Sequence, residues 1–280
     1  MTNGAVPDDL RADCARCFGL CCVAPAFVAS ADFAIDKPAG TPCPHLQSDS
    51  RCSIHERLRP AGFPGCAAFD CFGAGQKVAQ VTFKGRHWRD APETAPPMFR
   101  TFAIMRDLHE LLWYLTEALS LAAAETHWPE LAAARDNIEE LTRRSQDALV
   151  GLDTEPIRRR VDVLLVRTSA LVRRGERPGP DLRGADLVGK NLAGADLRRA
   201  NLRGALLIGA DLTGADLNRA DVIGADFRGC HVRGTNLGTC LFLTQFQASA
   251  ASGDAATTLP HTLNRPAHWS GRIRAARSVD

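Results

Sequence analysis

From Asp181 to Phe242 a large apolar residue recurs at every fifth position: Leu182, Leu187, Leu192, Leu197, Leu202, Leu207, Leu212, Leu217, Val222, Phe227, Val232, Leu237 and Phe242. Two positions before most of these stands a small residue, from Ala185 through Ala225 to Cys230, Thr235 and Cys240. A period of five fits neither the helical nor the strand repeat. A short fixed period points instead to a solenoid, in which each unit is too small to hide its own apolar residue and must stack on its neighbours. Leucine and alanine then fill the interior, while Asp, Asn, Arg and Gly face water or turn corners. Lys190 occupies a small inward position, so its stem has to thread outward. Leu206, His231 and Leu241 stand where Asp or Asn is the rule, and Cys230 and Cys240 read as packed free thiols. After Phe242 the open end of the stack needs a cover, and Thr244 to Ala251 fit a short capping helix. The residues beyond are expected to be extended, with His261, His268 and Trp269 in a docking segment.

Between Pro97 and about Gly175 the apolar period becomes helical. Met98, Phe99, Phe102, Met105, Leu108, Leu111, Leu112, Leu115 and Leu119 define one broad face. Pro129 is placed to start a second helix carrying Leu131, Ala134, Ile138, Leu141 and Leu149. A third, from about Glu155, carries Ile157, Val161, Leu164, Leu165, Thr168, Leu171 and Val172. Three antiparallel helices are the economical arrangement. Trp113, Tyr114 and Met105 read as core. The arginines of the third helix, Arg158, Arg159, Arg160, Arg167, Arg173 and Arg174, read as a wet face in preference to a nucleic-acid patch. Upstream, Val78 to Phe83 alternates as a short strand would. The Gly73-Ala74-Gly75 loop lacks the setting of a phosphate cradle.

The first ninety residues have neither period. Eight of the ten cysteines fall there, at Cys14, Cys17, Cys21, Cys22, Cys43, Cys52, Cys66 and Cys71, among many Pro, Gly and polar residues. Cys14-Ala15-Arg16-Cys17 has the spacing that lets one turn place two thiolates on one metal. Adjacent residues point apart, so Cys21 and Cys22 argue for two neighbouring metal sites or one polynuclear cluster. A chain so poor in apolar area would take folding free energy from the ion. Disulfides, buried free thiols and a catalytic Cys with His45 or His55 are the competing readings, and metal binding outweighs them. Zinc, iron or an iron–sulfur cluster all suit thiolates.

Composition adds limits. The net charge of +2 demands neither an acidic nor a basic partner. No apolar run is long enough for a membrane span, and Met1 to Leu10 lacks the apolar stretch of a signal peptide. A reducing cytoplasm is therefore the expected compartment.

The five-residue pattern closely resembles the pentapeptide repeat family, with its A-(D/N)-L-X-X motif. The resemblance implies a right-handed quadrilateral β-helix with five residues per side. The cysteines resemble the YkgJ-type cluster family, described as zinc- or iron-chelating. The matching residues are Cys14, Cys17, Cys21-Cys22, Pro42-Cys43-Pro44-His45-Leu46, Cys52-Ser53-Ile54-His55, Arg59-Pro60 and Cys66. The expected whole is a multidomain α+β protein: a Cys-rich metal-binding head over 1–90, a helical domain over 91–178, a β-helix over 179–247, and a cap with a mobile tail over 248–280.

Three functions follow from these parts. The first is a non-enzymatic metal-binding protein whose solenoid is a scaffold for a protein partner, with Val188, Leu206 and Ile208 as a candidate patch and self-association left open. The second is an iron–sulfur- or zinc-dependent enzyme that modifies proteins, as some relatives of the cysteine-cluster family, the flagellin lysine methylases, imply. No second catalytic constellation accompanies the cysteines, which ranks it lower. The third is DNA mimicry directed at gyrase, which some pentapeptide repeat proteins perform. It needs a strongly negative surface, whereas Asp181 to Phe242 carries seven Asp against eight Lys plus Arg, a balance of about +1. DNA mimicry is disfavoured on that count, and nucleic acid is not an expected partner.

Overall fold

The computed structural model describes residues 7–270, which fall into two compact units, Met1–Val172 and Arg173–Asp280. The first six residues of the segment read as lacking a signal peptide, and residues 271–280 of the expected tail, lie outside the described residues.

In the first unit the cysteine-rich segment is mostly loop, interrupted by the short helices α1 (Leu20–Val23), α2 (Pro64–Ala68) and α3 (Ala74–Gln76). Two single-residue antiparallel bridges, Phe27 with Lys37 and Leu46 with Cys52, tie the loops together. The strand expected over Val78 to Phe83 is instead a π-helical turn, Lys77–Thr82, closed by the Phe83 N–H donating to the Val78 carbonyl at 2.9 Å. It buries the consecutive residues Val78 and Ala79 while leaving Val81 exposed, which no two-residue alternation can do. Six residues are too few for periodicity to separate the two structures.

The long helices that follow lie on the expected stripes, except that the second ends at Thr142 and Leu149 falls on a separate short helix. α4 (Ala95–Ser120) opens on prolines at its first turn, where the missing N–H costs nothing, and buries Met98, Met105, Leu108 and Leu115 completely. α5 (Trp128–Thr142), α6 (Gln146–Val150) and α7 (Glu155–Val172) all pack on it. The Ser145 hydroxyl caps α6 by accepting from the Ala148 N–H at 3.4 Å. Trp113, Tyr114 and Met105 are core, as their spacing suggested. The arginines of α7 find local carboxylates: Arg158 reaches Glu110 at 3.0 Å and Arg167 reaches Glu130 at 2.8 Å. No helix among the described residues is long and apolar enough to cross a membrane.

In the second unit the quadrilateral β-helix, and with it the α+β class, is not seen: among the described residues there is no β-strand and no sheet. What forms is a coil of turns. Single residues twenty apart form parallel bridges, from Asp181 with Asn201 to Asp221 with Leu241. Each pentad spends its remaining residues on a corner, where the small residue's N–H donates back to the leucine carbonyl, as Ala205 does to Leu202 at 3.0 Å. Corner residues have positive φ, for instance 64° at Gly204, so glycine dominates there and Arg199 and Arg219 are exceptions at 58°. A corner every five residues leaves one residue extended enough to pair, and no strand can grow.

The same geometry explains the Asp and Asn. Their side-chain oxygen accepts the N–H two residues on, as Asp211 does from Thr213 at 2.9 Å and Asp221 from Ile223 at 3.0 Å. The inward residues from Leu197 onward are buried, while Leu182, Leu187 and Leu192 at the opening coil are half-buried and Lys190 points into solvent. Cys230 and Cys240 are buried and not in a disulfide, and the Cys240 thiol donates to the Leu217 carbonyl at 3.2 Å.

The cap forms as α8 (Gln245–Ala250), where Thr244 and Gln247 make a reciprocal capping box. The buried Gln247 amide donates to the Val222 and Ala225 carbonyls at 2.7 and 3.0 Å, satisfying the end of the coil. Residues 251–270 do not run out as an extended tail. Ser252 and Thr258 bridge to His231 and Asn236, and Trp269 is buried with its indole N–H on the Ala251 carbonyl at 3.0 Å.

Candidate functional site

The cysteine segment contains the same tripeptide twice. Cys17-Phe18-Gly19 leads into α1 and Cys71-Phe72-Gly73 leads into α3. In both, Phe and Gly lie consecutively in the left-handed region, with φ of 56° and 66° in the first loop and 50° and 78° in the second. The conformation curls backbone N–H groups around one point, an arrangement that favours an anion. Each loop closes on its cysteine, the Leu20 N–H donating to the Cys17 carbonyl at 3.3 Å and the Ala74 N–H to the Cys71 carbonyl at 2.9 Å, and the nearby N–H groups of Gly19 and Leu20 favour the Cys17 thiolate as those of Gly73 and Gly75 favour that of Cys71. Glycine is obligatory at 73, because a Cβ there would come within 2.0 Å of the Asp9 carbonyl oxygen.

Each loop is pinned in the same way. The Trp88 indole N–H donates to the Phe18 carbonyl at 2.9 Å, and His109 Nδ1 donates to the Phe72 carbonyl at 2.7 Å. His109 is buried, which holds its pKa down at about 4 and keeps it neutral at ordinary pH. The Phe72 ring packs on Trp113 with centroids 5.7 Å apart. The duplicated tripeptide is the signal sequence reasoning missed.

The other thiols are seated comparably. The Cys43 sulfur accepts from the His45 N–H and the Cys52 sulfur from the Ile54 N–H, again two residues on. Burial raises both thiols and pushes Cys66 up to about 12. The Cys17 thiol donates to the Cys14 carbonyl at 3.4 Å, and its interaction with the Cys14 thiol raises Cys14 and lowers Cys17 to about 7. Cys21 and Cys22 share another, at 3.9 Å between sulfurs, which raises Cys21 and lowers Cys22.

A buried cation stands among them. Lys37 is only 3% exposed, and its Nζ donates to the carbonyls of Pro25, Thr41, Pro38 and Val23 at 2.5, 2.9, 3.2 and 3.4 Å. Burial lowers its pKa, and the charges of Cys43, Cys22 and Cys66 oppose that shift. Sequence reading did not single it out.

The Cys21 and Cys22 sulfurs are neighbours at 3.9 Å, yet no group of three or more His, Cys, Asp or Glu is gathered as a metal-binding cluster among the described residues. The donor chemistry suits a soft cation, since none of the cysteines is in a disulfide, although Cys17 and Cys22 alone of the eight are lowered while burial raises Cys43, Cys52, Cys66 and Cys71. His45 packs edge-on against Phe63 at 5.3 Å, and His55 is exposed in a 3₁₀ turn.

In the coil, the Leu187 and Gly189 N–H groups donate to the Leu206 and Ile208 carbonyls at 3.0 and 2.9 Å. These links hold Val188 and Ile208 one coil apart on a common face. Val188 is 48% exposed and Leu206 41%, with Ile208 half-buried.

Comparison with known proteins bears on the coil first. Eight copies matching the description "Pentapeptide repeats" are found, over residues 181–214, 195–234 and 205–242. The chain is a pentapeptide-repeat protein. This pentapeptide-repeat protein is also 57% identical over 265 residues to the uncharacterized protein YybG of Bacillus subtilis (strain 168), covering 93% of its own chain and 95% of that relative, and belongs to one family with it. Among solved structures it is similar to a pentapeptide repeat protein from the Arabidopsis thaliana thylakoid lumen, at 27% identity, 30% of this chain and 57% of that one, with a TM-score of 0.23. It is similar too to the pentapeptide repeat protein Rfr23 from the cyanobacterium Cyanothece 51142, at 25% identity, 30% of this chain and 67% of the other, with a TM-score of 0.19.

Proposed function

We propose that this pentapeptide-repeat protein is a non-enzymatic metal-binding protein, taking zinc or iron on the cysteines of its first unit and offering its coil as a scaffold to a protein partner. The observation that carries the reading is the seating of the thiols. Backbone N–H groups two residues on favour the thiolates of Cys17, Cys43, Cys52 and Cys71, and the charges of neighbouring thiols act on every one of the eight but Cys17. Thiols gathered in one segment, seven of them buried or half-buried and Cys14 exposed, repel one another once ionised, and a bound cation would make the arrangement favourable. The match to the YkgJ-type motif supports the same reading. A bound ion would cross-link loops that carry little secondary structure, stabilising the unit that α4 already buttresses.

Elemental analysis of full-length protein purified anaerobically under reducing conditions tests this. Stoichiometric zinc or iron, released by a strong chelator together with increased protease cleavage before residue 90, is the expected result. Metal-free protein that cannot be reloaded, with unchanged protease resistance, refutes it. For the coil, Ile208→Lys is expected to weaken capture of a partner or self-association. Unchanged mass by light scattering and unchanged pull-downs would remove the Val188, Leu206 and Ile208 patch.

A further inference from the structure

We propose that Cys14 and Cys17 close a reversible disulfide when the chain meets a hydroperoxide, so that the turn carrying them is a dithiol redox site. The bond goes beyond the metal-binding reading: it needs no ion to form, and where an ion is held it withdraws two of the eight candidate ligands.

Local geometry singles out this pair. Cys14–Arg16 is a 3₁₀ turn with Cys17 as its C-cap. In such a turn residues three apart eclipse one another, with Cα atoms about 6 Å apart, inside the roughly 4.4–6.8 Å that a disulfide spans without backbone movement. The Cys17 side chain folds back over the turn, its thiol 3.4 Å from the Cys14 carbonyl oxygen, and the two thiols interact with each other. Cys21 and Cys22 are the rival pair, with sulfurs 3.9 Å apart. Their Cα atoms, adjacent across a trans peptide, lie only about 3.8 Å apart, short of that span. Closing them would also distort α1, where the Cys22 N–H donates to the Gly19 carbonyl at 2.8 Å and the Cys22 carbonyl accepts the Cys43 N–H at 2.9 Å. The rival is the strained pair despite its sulfur contact.

The turn is also held ready from outside. Gln76 accepts the Asp13 N–H at 3.1 Å and donates to the Arg11 carbonyl at 2.6 Å, while Gln80 donates to the Arg16 carbonyl at 2.8 Å. Gly75 packs against Cys17, whose Cβ a side chain at position 75 would meet at 2.8 Å. The backbone around both cysteines is thus fixed before oxidation, and closing the ring orders little more of it.

Access differs between the two thiols. Cys14 is exposed and Cys17 only 7% exposed, which sets a thiol that an oxidant can reach beside one that resolves it. The Cys14 sulfur attacks the terminal oxygen of the hydroperoxide and the O–O bond breaks. Cys14 becomes a sulfenic acid, and the other oxygen leaves as an alcohol, or as water from hydrogen peroxide, with the thiol proton. The Cys17 sulfur then attacks the Cys14 sulfur, the S–O bond breaks, and water leaves with the Cys17 proton. Two electrons pass from the thiol pair to the peroxide, and a dithiol reductant returns them by exchange.

Hydrogen peroxide is the probe, added below stoichiometry to full-length protein purified anaerobically and freed of reductant. Remaining thiols are alkylated, trypsin separates Cys14 from Cys17 by cutting after Arg16, and disulfides are located by mass spectrometry. A link between Cys14 and Cys17 that forms at least tenfold faster than any other, and that dithiothreitol reverses, is expected. Cys17→Ser should leave a sulfenic acid at Cys14 that dimedone traps, and Cys14→Ser should slow thiol loss at Cys17 at least tenfold. Circular dichroism checks that each variant keeps its helices, and the wild-type link decides the matter if one does not. A first link between Cys21 and Cys22, or between Cys17 and Cys71, overturns the proposal. So does wild-type protein with its helical signal intact in which Cys14 is oxidised and no link forms. Metal is counted separately on the same protein. A metal-free chain that forms the link upholds the redox site without the metal-binding reading, and a metal-bearing chain that fails to form it overturns the redox site alone.

Discussion

Arg203→Met isolates an interaction that decides how firmly the coil is closed. Arg203 is 7% exposed and Asp221 fully buried, with Nη1 donating to the carboxylate at 3.0 Å. The other carboxylate oxygen already accepts the Ile223 N–H at 3.0 Å. Methionine keeps most of the apolar stem and deletes the guanidinium, so the main loss is the charge partner. Breaking a buried ion pair from one side typically costs about 3–5 kcal/mol, because the remaining charge stays desolvated. The accompanying N–H bond softens this, and about 3 kcal/mol is the expected loss. Arg203→Met with Asp221→Asn removes the stranded charge and should regain at least half. Hydrogen exchange of amides between residues 201 and 242, followed by mass spectrometry along a denaturant series, reports the coil separately from the helices. A loss below about 1 kcal/mol, the range of exposed pairs, or a double variant no better than Arg203→Met, would refute the argument.

Other expectations follow from the same contacts. Because His109 has a folded pKa of about 4 against 6.5 for the free side chain, its contribution is complete above pH 6.5 and is lost as pH falls towards 4. The full loss amounts to about 3 kcal/mol. Denaturation of the first unit should show that slope in the wild type and lose it in His109→Gln, and equal slopes would contradict the assignment. Thr244→Ala removes the α8 capping box and should cost about 1 kcal/mol, read as faster exchange at Gln247 and Ala248. Unchanged exchange there would mean that the cap is held by Gln247 alone. Leu212→Ala opens a cavity in a fully buried layer and should cost about 2–5 kcal/mol in thermal or denaturant unfolding of the coil. A cost below 1 kcal/mol would show that the layers collapse around the gap.

What the sequence determined by itself was whatever repeats locally. Leucine every fifth residue, a small residue two before it and Asp or Asn at the bridging position specify one corner over and over. The long helical stripes likewise fixed α4, α5 and α7, because a broad apolar face is read within a few turns. Tertiary structure decided what depends on distant partners. Whether a pentad extends into strand or stops at a single bridge is set by stacking twenty residues away, and here the corners leave one residue to pair. Arg203 looks like any outward arginine until Asp221 is placed beside it on the next coil. The cysteine segment shows the division most clearly. Its spacing named eight thiols, but Gly75 packed against the Cys17 side chain, and Lys37 buried among four carbonyls, exist only once separate loops are folded together. A repeat is short-range information carried in every unit, whereas a site assembled from loops is a set of contacts that no single window of sequence contains.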